Sequence, residues 1–488
     1  MPRPVIFVPG LPASHLFDRT TGSDPEKIFL ILGGFKNSRL EGPDDLYAAE
    51  PIRAGDPVRH ALKFLVWDIA KQAGSLYDIL SRLGIDPIKL GWDWRRPVWD
   101  DVFADPNGPF SVHHRLAKAI RDARQATGQK VVIIAHSTGG LVLRPVLEDK
   151  PDLVDDVELV IAFGVPWAGT PKSMEVVNGQ EGFADGLVSP QRAQEIIVRS
   201  WAAWDLFPPD PIHLLDRHGR PLMLTFRRLS GGVRQQVCAL TDTDWIHSLP
   251  PGLQAPARQR AAEAHAHLGQ RQPSFELGGR RLRVVNVVGW GSTTPVEAEL
   301  TGTGGSARMV ARRDTQEATL DGGDGSVPRR SADWLRSGPD LEVTTHHVPV
   351  GWLPSTRIHV HGRLWSNPGG VNLLQRHLGG LPHEPFSYAA LDSVDSSQGS
   401  TSTTIRVRAV ALDAGGAPLD QAAIRTRNLQ GAQIGQPFDP QFDGRHTLQI
   451  PRGRIPAVGN GVRRLELEIL WKENGAQRRQ PRDFLFFG

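Results

Sequence analysis

The feature that most constrains this chain is an apolar run, Val131 to Ile134, that passes directly into Ala135-His136-Ser137-Thr138-Gly139 and then into a glycine-opened helical stretch. An unbroken apolar run of this length suits a strand buried on both faces of a sheet. The residues after it read as a sharp strand-to-helix turn with serine at the apex, the pattern of a nucleophile elbow. A serine hydroxyl is a weak nucleophile. It must stand clear of the sheet, where a histidine can reach it and where the next backbone N–H can meet a developing oxyanion. Small residues are needed on both sides of so tight a turn; Gly139 supplies one, and Ala135 stands where glycine is more usual.

The rest of the chain supplies a sheet to carry that turn. Apolar runs suited to buried parallel strands recur at Val5–Val8, Val131–Ala135, Val157–Phe163 and Leu282–Val288, with a mixed run at Leu341–Val350. Helical patterns lie between them. In His113–Thr127, Leu116, Ile120 and Ala123 share a face, and Gly128 ends the helix. Alternation of this kind implies an open parallel sheet flanked by helices. With the elbow, it predicts an α/β class chain with an α/β-hydrolase fold over residues 1–380. An inserted cap is expected at about 172–280, where arginine- and proline-rich sequence breaks the rhythm, and a hairpin at about 296–313. A Ser/Thr/Gly-rich stretch, Asp392–Thr403, marks a linker placed at 381–403. Short alternating segments beyond it predict a β-sandwich-like domain over 404–488.

At 488 residues the chain is long enough for two or three units. Its apolar fraction of 39% and charged fraction of 22% are those of a globular protein. The 56 basic and 53 acidic residues nearly cancel, to a net +3, so no nucleic-acid partner is implied. The single cysteine, Cys238, excludes an intrachain disulfide. Met1-Pro2-Arg3-Pro4 runs straight into the first strand without a charged and apolar leader, and no stretch approaches the ~18 apolar residues of a spanning helix. The expected location is therefore cytoplasmic, with leaderless secretion as the other route.

A serine nucleophile needs a base, and the base needs an orienting carboxylate; in this fold both are sought downstream in the order Ser, Asp, His. The best carboxylate is Asp324 in Asp321-Gly-Gly-Asp324-Gly-Ser-Val-Pro328, where glycines let a loop turn sharply and aim a side chain inward. Its bland reading is a solvated Asp-Gly turn. His346 and His347 fall within a strand pattern and point to opposite faces, which favours structural or exposed roles. His359 and His361 lie beyond it, before Asn367-Pro368, which read as the N-cap and first residue of a helix carrying Val371, Leu374 and Leu378. The His-Val-His pair is too isolated for a metal site, as is His265-Ala-His267, so neither metal nor other cofactor is expected.

Five ordered motifs spread over roughly residues 4–380 carry a resemblance: Val8-Pro9-Gly10; Gly91-Trp92-Asp93-Trp94-Arg95-Arg96-Pro97; Ala135-His136-Ser137-Thr138-Gly139-Gly140; Gly164-Val165-Pro166-Trp167-Ala168-Gly169-Thr170; and Gly323-Asp324-Gly325-Ser326-Val327. In this order they resemble the lecithin:cholesterol acyltransferase and lysosomal phospholipase A2 family of α/β-hydrolases. That family's histidine stands in a pattern that His361, Leu364, Trp365 and Asn367 fit and His359 does not, so the resemblance favours His361 and keeps His359 in reserve. It implies Ser137 as nucleophile, His361 as base and Asp324 as orienting carboxylate, with the backbone N–H groups of Leu11 and Thr138 meeting the oxyanion. Leu11 stands where some members carry aspartate.

The resemblance also implies a lid or membrane-contacting segment at the apolar run Ile28-Phe29-Leu30-Ile31-Leu32, for which a strand or buried helix of the core is the alternative. Trp201 and Trp204 in the cap, and Trp167 in the fourth motif, are candidates to line an acyl groove; core packing is the competing reading. The Gly91–Pro97 segment is read as structural. The expected function is a serine esterase, lipase or O-acyltransferase on lipid esters, with transient contact at a membrane surface. Thioesterase or amidase chemistry on a non-lipid acyl group shares the same residues, and an idle scaffold binding through its C-terminal domain is the non-enzymatic alternative.

Overall fold

The computed structural model describes residues 3–11, 14–17, 27–29, 53–57, 67–99, 111–180, 190–201, 203–208, 226–230, 233–238, 240–241, 243–268, 271–290, 292, 294–301, 308–313, 323–349, 360–366, 368–379, 386–391, 404–412, 423–427, 436–437, 446–459, 462–473 and 476–487. They divide into two units, one of residues 1–343 and 358–379, the other of residues 344–357 and 380–488.

The first unit is built on a six-stranded sheet. Its strands in chain order are β1 (Val5–Val8), β2 (Ile88–Lys89), β3 (Val131–His136), β4 (Val157–Phe163), β5 (Leu282–Trp290) and β6 (Leu341–Pro349), of which Leu341–Val343 belong to this unit. Their order across the sheet is β6-β5-β4-β3-β1-β2, and β2, β1, β3, β4 and β5 pair in parallel. The expected strands are all present. In β1 and β3 every residue is buried, which is why they read as unbroken apolar runs. Strand β2 escaped the sequence reading because it is two residues long and leaves Ile88 exposed.

Helices cover the sheet in the manner the periodicity predicts. Helix α1 (Val112–Thr127) turns Val112, Leu116, Ile120 and Ala123 inward. Ser111 caps its start by accepting the His114 N–H at 3.0 Å, and Gly128 closes its end at φ 68°. Helix α2 (Thr138–Asp149) leaves β3 through Ser137, and helix α3 (Pro368–Gly379) buries Leu373 and Leu374. The chain runs from β1 outward to β2 and then returns to place β3 on the other side of β1. This reversal is a topological switch point, where α/β sheets hold ligands at the carboxyl ends of their strands. The loops opening there begin at Pro9 and at Ser137.

Between β4 and β5 the chain forms helices at Lys172–Val177, Pro190–Arg199 and Pro251–Leu268. A second, four-stranded sheet joins the hairpin Phe226–Ser230/Val233–Val237 to the hairpin Pro295–Thr301/Arg308–Arg313. A three-stranded antiparallel sheet joins Ser14–Phe17 to Lys27–Phe29 and Arg53–Pro57. Ile28 and Phe29 lie in a strand of this small sheet, and Leu30 lies outside the described residues.

The second unit carries two four-stranded antiparallel sheets. One joins Phe386–Leu391, Thr404–Leu412, His446–Pro451 and Gln436–Pro437; the other joins Ala423–Thr426, Ala457–Gly459, Val462–Glu473 and Ala476–Phe487. Leu465, Leu467, Ile469 and Trp471 alternate inward along one strand, and Glu468 on its other face accepts the Arg425 Nε–H at 2.6 Å. Part of the stretch read as linker is a strand, Phe386–Leu391, because Phe386 and Tyr388 alternate with small residues there. Its Ser-rich remainder, 392–403, lies outside the described residues.

Among the described residues no helix is long and apolar enough to cross a membrane. The turn into α2 leaves no slack: a Cβ on Gly139 would lie 2.7 Å from the Pro9 carbonyl oxygen and closer still to that of Val8. Gly139→Ala is therefore expected to lower stability by about 1–3 kcal/mol, read as a reduced denaturant midpoint; an unchanged midpoint would show that the turn can relax.

Candidate active site

Ser137 is the one non-glycine residue with positive φ among those described, at φ 52° and ψ −129°. The strand and the helix enforce this conformation from either side. The Ser137 N–H donates to the Phe163 carbonyl at 2.9 Å, on the neighbouring strand β4, and the Ser137 carbonyl accepts the Gly140 N–H at 3.0 Å. Helix α2 begins at Thr138, and the first N–H groups of a helix have no intrahelical acceptor. The partial positive charge of that terminus faces whatever lies above the serine. The loop leaving β1 closes on the same point: a Cβ built on Gly10 would lie 3.2 Å from Ser137 Oγ. Leu11, half-buried in a turn, is the next residue.

Asp324 is only 1% exposed, so the solvated-turn reading does not hold. Its Oδ1 accepts the N–H groups of Ser326 at 3.1 Å and Val327 at 2.8 Å, leaving Oδ2 for the His361 Nδ1–H at 2.7 Å. A carboxylate only accepts, so the proton sits on Nδ1 and the Nε2 of neutral His361 is left bare. That is the tautomer a general base requires. His361 lies in a 3-10 turn, Val360–Ser366, directly before α3. His359 lies outside the described residues.

The Asp–His pair packs against Gly164, the residue after the one that holds the Ser137 N–H. This residue, at φ 54°, follows Phe163, whose carbonyl holds the Ser137 N–H. A Cβ on it would come within 2.9 Å of Asp324 Oδ2 and 3.1 Å of His361 Cε1. The glycine opening the fourth motif is thus the floor of the site.

Several motif residues act by holding loops. Thr170 Oγ1 donates to the Ser326 carbonyl at 2.6 Å, tying the fourth motif to the loop that carries Asp324. Thr294, absent from the sequence reading, is fully buried and accepts the N–H groups of Gly323 at 3.0 Å and Gly325 at 2.9 Å, fixing Asp324 between them. Trp92 Nε1–H donates to the Pro9 carbonyl at 2.9 Å, and Arg95 grips Asp93 with two hydrogen bonds at 2.8 and 2.6 Å. The Arg95 carbonyl accepts the Trp201 N–H, and buried Asp205 accepts the Val98 N–H at 3.0 Å. The Gly91–Pro97 segment therefore joins the loop after β1 to the cap, in keeping with a structural role. Burial pushes the Asp205 carboxyl well above the ordinary carboxylate range, with Arg271 and the Val98 N–H pulling it back.

The tryptophans proposed for a groove are core residues here. Trp204 is fully buried and stacks on Phe207 with ring centroids 5.0 Å apart; Trp167 is 1% exposed, its indole N–H satisfied by Asn286 Oδ1 at 3.0 Å. Trp201, 6% exposed, lies under the Arg260 guanidinium at 4.3 Å. His346 is buried, and His267 stacks on Trp99 at 4.6 Å. Among the described residues no three His, Cys, Asp or Glu side chains gather to hold a metal ion.

Residues 66–210, which include the elbow and the fourth motif, match the family model for lecithin:cholesterol acyltransferase. Over that segment the chain is lecithin:cholesterol acyltransferase-like. It is similar to the lysosomal phospholipase A and acyltransferase of Bos taurus, 33% identical over 88 residues, which are 18% of this chain and 20% of the relative. To the Rattus norvegicus protein of the same name it is 26% identical over 106 residues, 21% of this chain and 24% of the relative. The chain thus spans about a fifth to a quarter of the length of these curated relatives. Among solved structures it is similar to a chain in the crystal structure of the Tle4-Tli4 complex, at 15% identity and a TM-score of 0.43, covering 76% of this chain and 96% of that one.

One further group in this lecithin:cholesterol acyltransferase-like segment touches the site. His136, 3% exposed, is held well below the ordinary histidine range by burial and, second, by the neighbouring His361, while its hydrogen bond to the His361 carbonyl pulls the other way. Above about pH 6.5 neither the folded nor the unfolded chain protonates this group. Below it the unfolded chain takes up a proton that the folded protein refuses, so the group makes stability fall as pH drops toward the folded-state value. Unfolding free energies measured between about pH 8 and about pH 5 should fall more steeply for the wild type than for His136→Gln; parallel curves would contradict a neutral buried imidazole.

Proposed function

We propose that this chain is a serine esterase, lipase or O-acyltransferase acting on lipid esters through a covalent acyl-enzyme. The observation that carries the reading is the buried bond from His361 Nδ1–H to Asp324 Oδ2, set beside a serine at positive φ on the switch-point edge of the sheet. Ser137 Oγ attacks the ester carbonyl carbon while His361 Nε2 takes its proton. The carbonyl oxygen gains the electron pair and is met by the N–H groups of Thr138 and Leu11. Collapse of the tetrahedral species returns that pair, breaks the ester C–O bond and passes the proton from His361 to the leaving alcohol. The acyl group is now on Ser137. Water or an acceptor alcohol repeats the sequence in reverse, giving acid or new ester and freeing the serine. Throughout, Asp324 holds the imidazole tautomer and offsets its positive charge.

Two observations support a lipid acyl group as substrate. The matched family segment includes the elbow, and the relatives it aligns with are described as phospholipase A and acyltransferase.

Turnover of a short-chain ester and of phospholipid in liposomes should fall at least about 1,000-fold in Ser137→Ala. Asp324→Asn, which keeps the shape and loses the charge, is expected to lower kcat by about 10,000-fold. Hydrolysis retained in folded Ser137→Ala would refute the reading. Activity on the short-chain ester with none on liposomes would keep the mechanism and remove the lipid.

A further inference from the structure

We infer that His136 is a positioning residue: its Nε2–H donates to the backbone carbonyl of His361 and thereby fixes the imidazole that serves Ser137. The inference rests on the proposed function, and it names a group that the Ser, Asp and His assignment does not use.

The hydrogen bond itself decides the tautomer. His136 Nε2 lies 3.2 Å from the His361 carbonyl oxygen. A carbonyl can only accept, so the hydrogen is on Nε2. The ring is neutral, since burial and the adjacent His361 both disfavour its charge. Its Nδ1 is then bare, and no second positive charge stands beside His361 when that ring takes the serine proton.

The packing repeats the constraint. The His136 ring is 4.7 Å from the His361 ring, tilted by 37°, and 4.8 Å from the Trp365 ring, edge to face. His361 and Trp365 both belong to the turn Val360–Ser366. Trp365 is itself fully buried, edge-on to Phe163 at 5.7 Å and to Phe7 at 6.1 Å, with its N–H donated to Ser75 Oγ at 3.0 Å. His136 is thus inserted against one short turn at three points: the carbonyl of the base, its ring, and the tryptophan that anchors the turn in the sheet.

Position gives this insertion its consequence. His136 ends β3, and the next residue is Ser137. One peptide unit and one hydrogen bond therefore connect nucleophile and base, although the residues joined by that hydrogen bond are 225 positions apart in the chain. Asp324 orients the His361 ring about its Nδ1; His136 sets where the backbone carrying that ring stands. A base displaced by about 1 Å loses on the order of 100-fold in rate.

The test uses His136→Phe, which keeps a ring and removes the donor, and His136→Gln, whose amide N–H can reach the position of Nε2. Two readouts are taken on the full chain: kcat and KM for a short-chain ester, and the downfield proton resonance of the His361–Asp324 hydrogen bond. His136→Phe should lower kcat by about 100-fold with KM little changed and should shift or broaden the resonance. His136→Gln should recover most of both. Where His136→Phe fails to fold, His136→Asn, whose amide stops short of the carbonyl, takes its place. Resonance and kcat kept in the donor-less variant would overturn the inference while leaving the proposed function standing. A wild type without turnover, but with a resonance that responds to the two variants as stated, would uphold the positioning of His361 and remove the proposed function.

Discussion

The backbone at Ser137 is the constraint on which the rest of the site depends. A residue with a Cβ held at φ 52° costs on the order of 1–3 kcal/mol and persists only where its surroundings determine it. Here they do so from each side. Strand β4 holds the serine N–H, the first turn of α2 holds its carbonyl, and the loop after β1 approaches until Gly10 and Gly139 have no room for a side chain. Burial of the central strands on both faces keeps these elements from shifting, and the strained turn lifts one hydroxyl above the sheet edge at the reversal between β1 and β3.

The loops around that point are tied to one another. Thr294 clamps the peptide on either side of Asp324, Thr170 ties the Asp324 loop to the motif that begins at Gly164, and Trp92 ties the Pro9 loop to the segment that meets the cap. Each is a polar side chain or indole N–H satisfied at short range within a buried setting, where an unmade hydrogen bond would cost about 1–3 kcal/mol. Trp92 and Thr170, which look like a signature along the chain, are in space fasteners of loops, and Thr294, outside the motifs, is a third.

What was legible along the chain follows from these physical causes. Strands buried on both faces had to be continuous apolar runs, so β1, β3, β4 and β5 could be read; β2, two residues with Ile88 exposed, leaves no such trace. Helix α1 announced itself through its spacing and its Gly128 end, whereas its Ser111 cap was not read along the chain. Asp324 was legible because glycines mark a loop that turns tightly, but whether water reached it was not, since it packs against Gly164, just after β4, and Gly289 in β5, both distant in the chain. His361 lacks any periodic signal; its place before the helix start at Asn367-Pro368 marked it together with His359, and the family spacing to Leu364, Trp365 and Asn367 separated the two. His136 and Thr294 gave none: each works through partners distant in the chain. The tryptophans illustrate the same limit, for composition does not tell a groove from a core, and Trp167 and Trp204 are buried because their N–H groups find Asn286 and the Val198 carbonyl.

The central claim is that Ser137 is the activated nucleophile of this site. Reaction of the full chain with a fluorophosphonate, followed by peptide mass mapping, tests it most directly. The account predicts a single phosphonyl adduct, on Ser137, formed only by folded protein. No adduct, or one on another residue with Ser137 unmodified, would contradict it.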